Sequence, residues 1–186
     1  MAHISSIGAG LHSALAVTAS AVPVASRPAN EAAWVALFAD DANFDRFPNI
    51  REFPQIGTPA NIVNVPVYGQ KTSSQIQGQA DAPTLELTIN YVPSELASSG
   101  IAAKVGDGNV YAFQFSLLNA SPTGAAGKEQ LQAVAGNLGS VANSNFYFQG
   151  KIEALLVSPQ LTDANQATLT LSAIGDFVGP FTIDAP

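Results

Sequence analysis

Cysteine is absent from this 186-residue chain, which excludes disulfides and thiolate metal sites. Charge is scarce: 11% of residues are Asp, Glu, Lys or Arg, against about 25% in an ordinary globular protein. The 7 basic residues never cluster, and tight binding to a phosphate backbone needs several cations close together. A net charge of −7 repels DNA instead of holding it. His3 and His12 are the only histidines. With no thiolate and no carboxylate beside them, they make neither a metal site nor a Ser-His-Asp triad, and no Gly-x-Ser-x-Gly elbow occurs. No long hydrophobic run exists either. Residues Ala14 to Ala25 are apolar but broken by Thr18, Ser20 and Pro23, too short a stretch to span a bilayer. No Lys or Arg precedes that stretch, so a secretory leader is the minority reading.

What is present is apolar patterning. Hydrophobic residues make up 47% of the chain, enough to exclude disorder and to build one core in a single domain, 1–186. Thr84 to Tyr91 alternates almost perfectly: Leu85, Leu87, Ile89 and Tyr91 on one side, Thr84, Glu86, Thr88 and Asn90 on the other. Side chains of a strand point alternately to opposite faces, so this segment covers a core and leaves its second face to solvent or a partner. The pattern returns at Tyr111–Leu117, at Phe146–Leu156 and at Leu169–Ala173. A surface so poor in charge suits a subunit covered by copies of itself.

The remaining elements follow from caps and breakers. The first thirty residues read as an N-terminal arm with one strand over Leu15 to Val24. Asn30 caps a predicted helix through Phe38, with Trp34, Leu37 and Phe38 on one face. Asp40 to Pro54 reads as loop. Ile62 to Val67 reads as a strand, with Pro66 marking an edge or a bulge. Gly69 to Pro83 is a long polar connection of a length usually kept for function. Ser94 to Ala103 predicts a short helix, Asp107-Gly108-Asn109 a turn, and Lys128 to Ala135 another helix. Strands are expected over Asn145–Ser158 and Gln166–Gly175. The acidic tail, 176–186, has no assignable pattern.

Three constellations imitate sites. Asp41-x-Asn43-x-Asp45 with Asn49 and Glu52 has calcium-loop offsets, but Arg46 stands where the sharp turn needs Gly, and Pro48 interrupts the loop. A solvated acidic loop is the better reading. Gly8-x-Gly10 lacks a preceding βαβ start and its third Gly. Asn145 to Gly150 imitates an engineered protease site, yet it lies within an alternating strand and reads as native.

Phe53-Pro54-Gln55-Ile56-Gly57-Thr58-Pro59, followed by Ile62-Val63-Asn64-Val65, resembles the opening of major tail tube proteins of phages with long, non-contractile tails. The order that follows is similar to that family's: a long loop, the Thr84–Tyr91 strand, a helix, then the Val110–Leu118 strand. Phe146-Tyr147-Phe148-Gln149-Gly150-Lys151-Ile152-Glu153 is similar to its aromatic-x-Gly-x-aliphatic strand. The resemblance spans roughly Phe53 to Gly175 as an order of elements.

It implies a mainly β fold: an antiparallel β-sandwich or barrel with a flanking short helix, a long loop and an N-terminal arm, oligomerising into a β-lined ring. It further implies hexameric rings of this chain stacked around a tape measure protein, capped by tail terminator and distal tail or baseplate proteins. Genomic DNA would pass through the lumen without specific binding. The place implied is the virion tail, after assembly in the host cytoplasm, with no cofactor and no catalysis. The assembly candidates are Phe53, Ile56 and Gly57, the inter-ring loop residues Gln70, Lys71, Gln75, Gln77 and Gln79 within 69–83, and the strand acids Glu86 and Glu153. The rival reading is a secreted or capsid-decorating β-sandwich module that binds carbohydrate or another surface. Such modules display aromatics, and Trp34 is the only Trp. An enzyme ranks lower, for want of an acid–base or nucleophilic set.

Overall fold

A computed structural model describes residues 12–57, 61–69, 71–78, 82–118 and 143–182. Gln70, Gln79, the helix expected over 128–135, the start of the arm and the last residues of the tail lie outside the described residues.

Alternating apolar stretches supply the strands β1 (Ala14–Thr18), β6 (Thr84–Asn90), β7 (Tyr111–Leu118), β8 (Asn143–Ser158) and β9 (Gln166–Phe181). Two short strands, β2 (Phe44–Arg46) and β3 (Ile50–Glu52), complete one antiparallel sheet in the order β2-β1-β7-β8-β9-β6-β3. The sheet curls into a half-barrel. A separate hairpin joins β4 (Ile62–Val65) to β5 (Ser74–Gln77).

β8 and β9 hold 16 residues each, roughly 50 Å of extended chain. Register shifts between Asn145 and Gln149 and again between Ile152 and Ala154 bend them, as bulges do. Gly150 sits where the pair presses closest: a Cβ there would lie 2.6 Å from the Ser172 carbonyl oxygen and 3.4 Å from the Phe113 ring.

One face of the sheet holds the main core. Leu85, Leu87, Ile89, Leu169 and Leu171 bury there as the alternation requires, against Phe113, Phe148 and Ile152. Phe113 stacks on Phe148 with ring centroids 4.9 Å apart. The helix α2 (Pro93–Ser98) closes this core with Leu96, and Ile101 follows it in. It is shorter than the sequence predicts, because Gly100 turns the chain at φ 75° and only a 3-10 turn over Ala102–Lys104 follows. Lys104 Nζ lies 2.5 Å from Asp45 Oδ2, both nearly buried, which ties that turn to β2.

A second, smaller core forms on the opposite face. The helix α1 (Glu31–Leu37) starts as expected at Asn30, whose side-chain oxygen accepts from the Ala33 amide at 2.9 Å. It lays Trp34, with Phe38 and Phe44, over Ala16, Ala112 and Tyr147. Trp34 stacks on Tyr147 at 5.7 Å. β7 and the first half of β8 are therefore covered on both faces. Gln114, Ser116, Asn143, Asn145 and Gln149, polar in sequence, are buried there.

Three elements depart from the sequence pattern. β1 ends at Thr18 instead of Val24, since Pro23 has no amide to pair and a 3-10 turn follows over Val24–Ser26. The stretch Asp40 to Pro54 contains β2 and β3, of three residues each, too short to show a period. β9 runs on through Asp176 to Phe181, where Gly175, Gly179 and Pro180 read as an irregular tail.

Candidate functional site

Among the described residues, the face of β3, β6, β9 and late β8 turned away from the main core has no helix over it. Cross-strand register pairs Glu86 with Thr170 and Thr170 with Ala154, so late β8, β9 and β6 lie side by side. Glu86 stands exposed there. Glu153 accepts a hydrogen bond from the Ser172 hydroxyl at 2.5 Å, which places it on the same face. Glu52, paired with Thr88, adds a third carboxylate, against Lys151 alone opposite Ser172. The remaining positions are mostly Thr, Ser and Gln. The result is a polar, acidic wall.

The hairpin projects from the start of β6. It pairs only with itself, the Gly78 amide closing it on the Asn61 carbonyl at 2.6 Å. Both its faces are exposed, although Ile62, Val63, Val65 and Ile76 are aliphatic, and Val67 and Tyr68 at its turn are exposed too. A lone two-stranded hairpin is marginal in water, and aliphatic side chains on both faces lack a cover within the subunit.

Two sheet edges are unfinished. β7 pairs with β8 only as far as Gly150, and the Gly106 amide then takes the Ile152 carbonyl. From Glu153 to Ser158 that edge has no paired strand among the described residues. Leu156 and Val157 stand exposed along it, and Leu161 beyond it. On the other side, β3 pairs with β6 only at Thr88 and Ile89, leaving the edge at Thr84–Leu87 without a strand among the described residues. A groove of about 620 Å³ runs along this second edge, lined by Pro54, Ile56, Gly57, Pro83, Leu85 and Glu86 among others.

Of the sequence-derived candidates, Phe53 and Ile56 serve first as anchors. Both are half-buried against the main core, and Phe53 meets Phe115 edge-on at 5.3 Å. Gly57 takes φ 150°, a region that favours glycine, and lines the groove. Lys71 lies at the hairpin turn, and Gln75 and Gln77 are exposed on β5; Gln70 and Gln79 lie outside the described residues. Glu86 and Glu153 share one wall. Of the calcium-like set, Asp45 binds Lys104, the Asn49 amide donates to Glu95, and Glu52 stands on the exposed face of β3. The Arg51–Asp163 pair, 3.0 Å apart and exposed, ties β3 to the β8–β9 turn. The Ala164 amide, then Arg51, holds the Asp163 carboxyl below its ordinary pKa. The unfinished β8 edge and the groove were missed by sequence reasoning; the adjacent Leu155-Leu156-Val157, which breaks the alternation, is the signal that marks the edge.

No protein-family profile matches this sequence and no curated protein matches it. Solved structures do match in fold. A chain of the SPP1 tail tube superposes with TM-score 0.54 at 13% identity, over 96% of this chain and 82% of that one. A chain of the sheath/tube terminator of the PVC extracellular contractile injection system gives TM-score 0.56 at 10% identity, over 95% and 98%. The sheath–tube complex of the same system gives 0.54 at 12%, over 95% and 93%. At such identities the likeness establishes the fold, and the fold is the one found in these tail-tube assemblies.

Proposed function

We propose that this chain is the structural subunit of a phage tail tube. Copies close into hexameric rings, and the rings stack into a tube that encloses a tape measure protein and later conducts genomic DNA. The observation that carries the reading is the unfinished sheet: one face is bare, polar and acidic, and the strands beside it end in unpaired edges. Open edges invite pairing with another chain, and a head-to-tail contact that closes by rotation gives a ring. Within that ring the Glu52–Glu86–Glu153 wall would line the lumen, where like charge lets DNA slide past. The hairpin, broader than the polar loop expected over 69–83, would reach the next ring and cover its aliphatic side chains there. Tail terminator and distal tail or baseplate proteins would meet the tube at its ends, in a virion tail assembled in the host cytoplasm.

Electron microscopy of the purified protein, alone and with baseplate components as nucleus, tests this. Rings or tubes with a central channel are expected. Dispersed monomers under every condition would overturn the proposal. The rival, a carbohydrate-binding module, gains no support from Trp34, which is 1% exposed beneath α1.

A further inference from the structure

We infer that the segment between β1 and β2, residues 19–43, is a hinged outer layer that opens as one unit while the main sheet stays folded. The inference is independent of assembly, and it starts from where partners are missing. Three buried side-chain atoms lack a hydrogen-bond partner among the described residues: Gln114 Oε1, the Tyr147 hydroxyl and Gln149 Oε1. All three lie on one face. Across the β7–β8 register Gln114 stands opposite Tyr147 and Gln149 opposite Ala112, and Tyr147 and Ala112 belong to the core under α1. None of the three belongs to the main core. A buried polar atom without a partner costs free energy, and that cost disappears when the site opens to water.

The grip of the layer is narrow. It sets Trp34, Phe38 and Val22 against the sheet, where Ala14, Ala16 and Ala112 are small and only Phe44 and Tyr147 are large. Three donors tie it down among the described residues. The Val22 amide donates to the Val110 carbonyl at 2.7 Å, and Gln149 Nε2 donates to the Val22 carbonyl at 3.0 Å. The Arg27 guanidinium donates to the Ile174 carbonyl at 3.4 Å and to the Asp176 carbonyl of β9. Gly175 makes room for it, since a Cβ there would collide with the guanidinium. The roots of the segment meet. Thr18 pairs with Phe44 across β1 and β2, and the Ala19 amide donates to the Asn43 carbonyl at 2.8 Å. A segment whose ends are already clasped swings out without drawing either strand from the sheet. The face it leaves carries Gln114, Ser116, Asn145 and Gln149, which water solvates readily, and the main core on the other face keeps its contacts. The subunit thus pairs a rigid frame with a lid of lower local stability.

Hydrogen–deuterium exchange of the unassembled full chain, read amide by amide by NMR, tests this. The hydrogen-bonded amides of Val22, Trp34 and Phe38 should exchange at one common opening free energy, on the order of 100-fold faster than amides within β8 and β9. Trp34, the only Trp, supplies a second readout: its fluorescence should change at lower urea than the far-ultraviolet circular dichroism of the sheet. Asn30→Ala removes the cap of α1 and should speed all three amides about fivefold, with β8 and β9 unchanged. Tyr147→Phe removes a buried hydroxyl without a partner and should slow them by up to about fivefold. Equal protection of lid and sheet, with coincident urea transitions, would show one cooperative unit and overturn the inference. Fast exchange at Trp34 and Phe38, with Val22 as slow as β8, would show fraying of α1 alone and overturn it too.

Discussion

On the proposed tube, excising the β4–β5 hairpin would separate what the subunit needs to fold from what the rings need to stack. The Asn61 carbonyl and Gly78 amide are one hydrogen bond apart, 2.6 Å, so residues 62–77 can be replaced by Asn-Gly, the pair favoured in two-residue hairpin loops. The hairpin adds no strand to the main sheet, so the melting temperature should move by no more than a few degrees. Its loss from the assembly is costlier. Ile62, Val63 and Ile76 are 58, 43 and 55% exposed, and fully burying such a side chain contributes about 1.5–3 kcal/mol. Covering the exposed halves of these, together with Val65, gives roughly 3–6 kcal/mol per hairpin before the costs of association. At about 1.4 kcal/mol per tenfold, that is roughly two to four orders of magnitude in each ring-to-ring contact. Sedimentation and negative-stain microscopy of the excised protein should show rings without long tubes, and Ile76→Asp should fall between the two. Tubes of ordinary length from the excised protein would refute the stacking role. An unfolded product would refute the independence of the hairpin from the core.

Three further substitutions test the interior. Tyr147→Phe removes a buried hydroxyl that has no hydrogen-bond partner among the described residues while keeping the ring against Trp34, so it should be neutral or stabilising by up to about 1 kcal/mol at pH 7 by chemical denaturation. Burial, and then Glu31, pushes the Tyr147 pKa up. The unfolded chain ionises near pH 10 while the folded one stays neutral, so stability present below that pH is lost as pH rises further, and Tyr147→Phe should raise the alkaline midpoint. Lys104→Met removes the ammonium that faces the nearly buried Asp45 carboxylate and should cost roughly 3 kcal/mol, part of it recovered by adding Asp45→Asn; equal losses in the single and double variants would deny the pair any coupling. Gly150→Ala puts a Cβ 2.6 Å from the Ser172 carbonyl and should cost about 1–3 kcal/mol in urea melts, unless β8 and β9 part more easily than their packing indicates.

The sequence made β6 legible because one of its faces is bare: Leu85, Leu87 and Ile89 against Thr84 and Glu86 is the signature of a strand covered once. α1 was legible from Asn30 and the spacing of Trp34 and Phe38. β7 was half legible. Tyr111, Phe113 and Phe115 announce the main core, yet Ala112, Gln114 and Ser116 lie under the α1 layer, and their small or polar side chains carry no mark of that burial. Gln114 keeps one buried oxygen without a partner, so the local chemistry contradicts the place the fold gives it. β5, Ser-Gln-Ile-Gln, reads as loop because only its pairing with the aliphatic β4 makes it a strand.

The assembly surfaces were less legible for a reason of range. Glu86 and Glu153 lie far apart in sequence, and the strand that follows β6 in the chain is β7. That the two acids share a wall depends on β9 entering between β6 and β8, a long-range register that no local pattern encodes. The edges are harder still, since an unpaired backbone leaves no trace in side-chain periodicity. What the sequence does record is the consequence. Leu155, Leu156 and Val157 run together at the end of β8, where a strand finished within its own subunit would alternate. Ile62 to Val65 is aliphatic, although β5 beside it is mostly polar. Such residues remain exposed in a chain with 11% charge only at the risk of aggregation, and Arg27 over the β9 carbonyls shows that this fold caps one edge. On the proposed tube, leaving the β8 and β6 edges bare while Arg27 caps β9 would be a choice of where copies meet. If Arg27→Ala yields disordered, sheet-rich aggregates in place of rings, with the melting temperature of the monomer unchanged, that choice is made by the cap; unaltered rings would show that the free edges alone direct assembly.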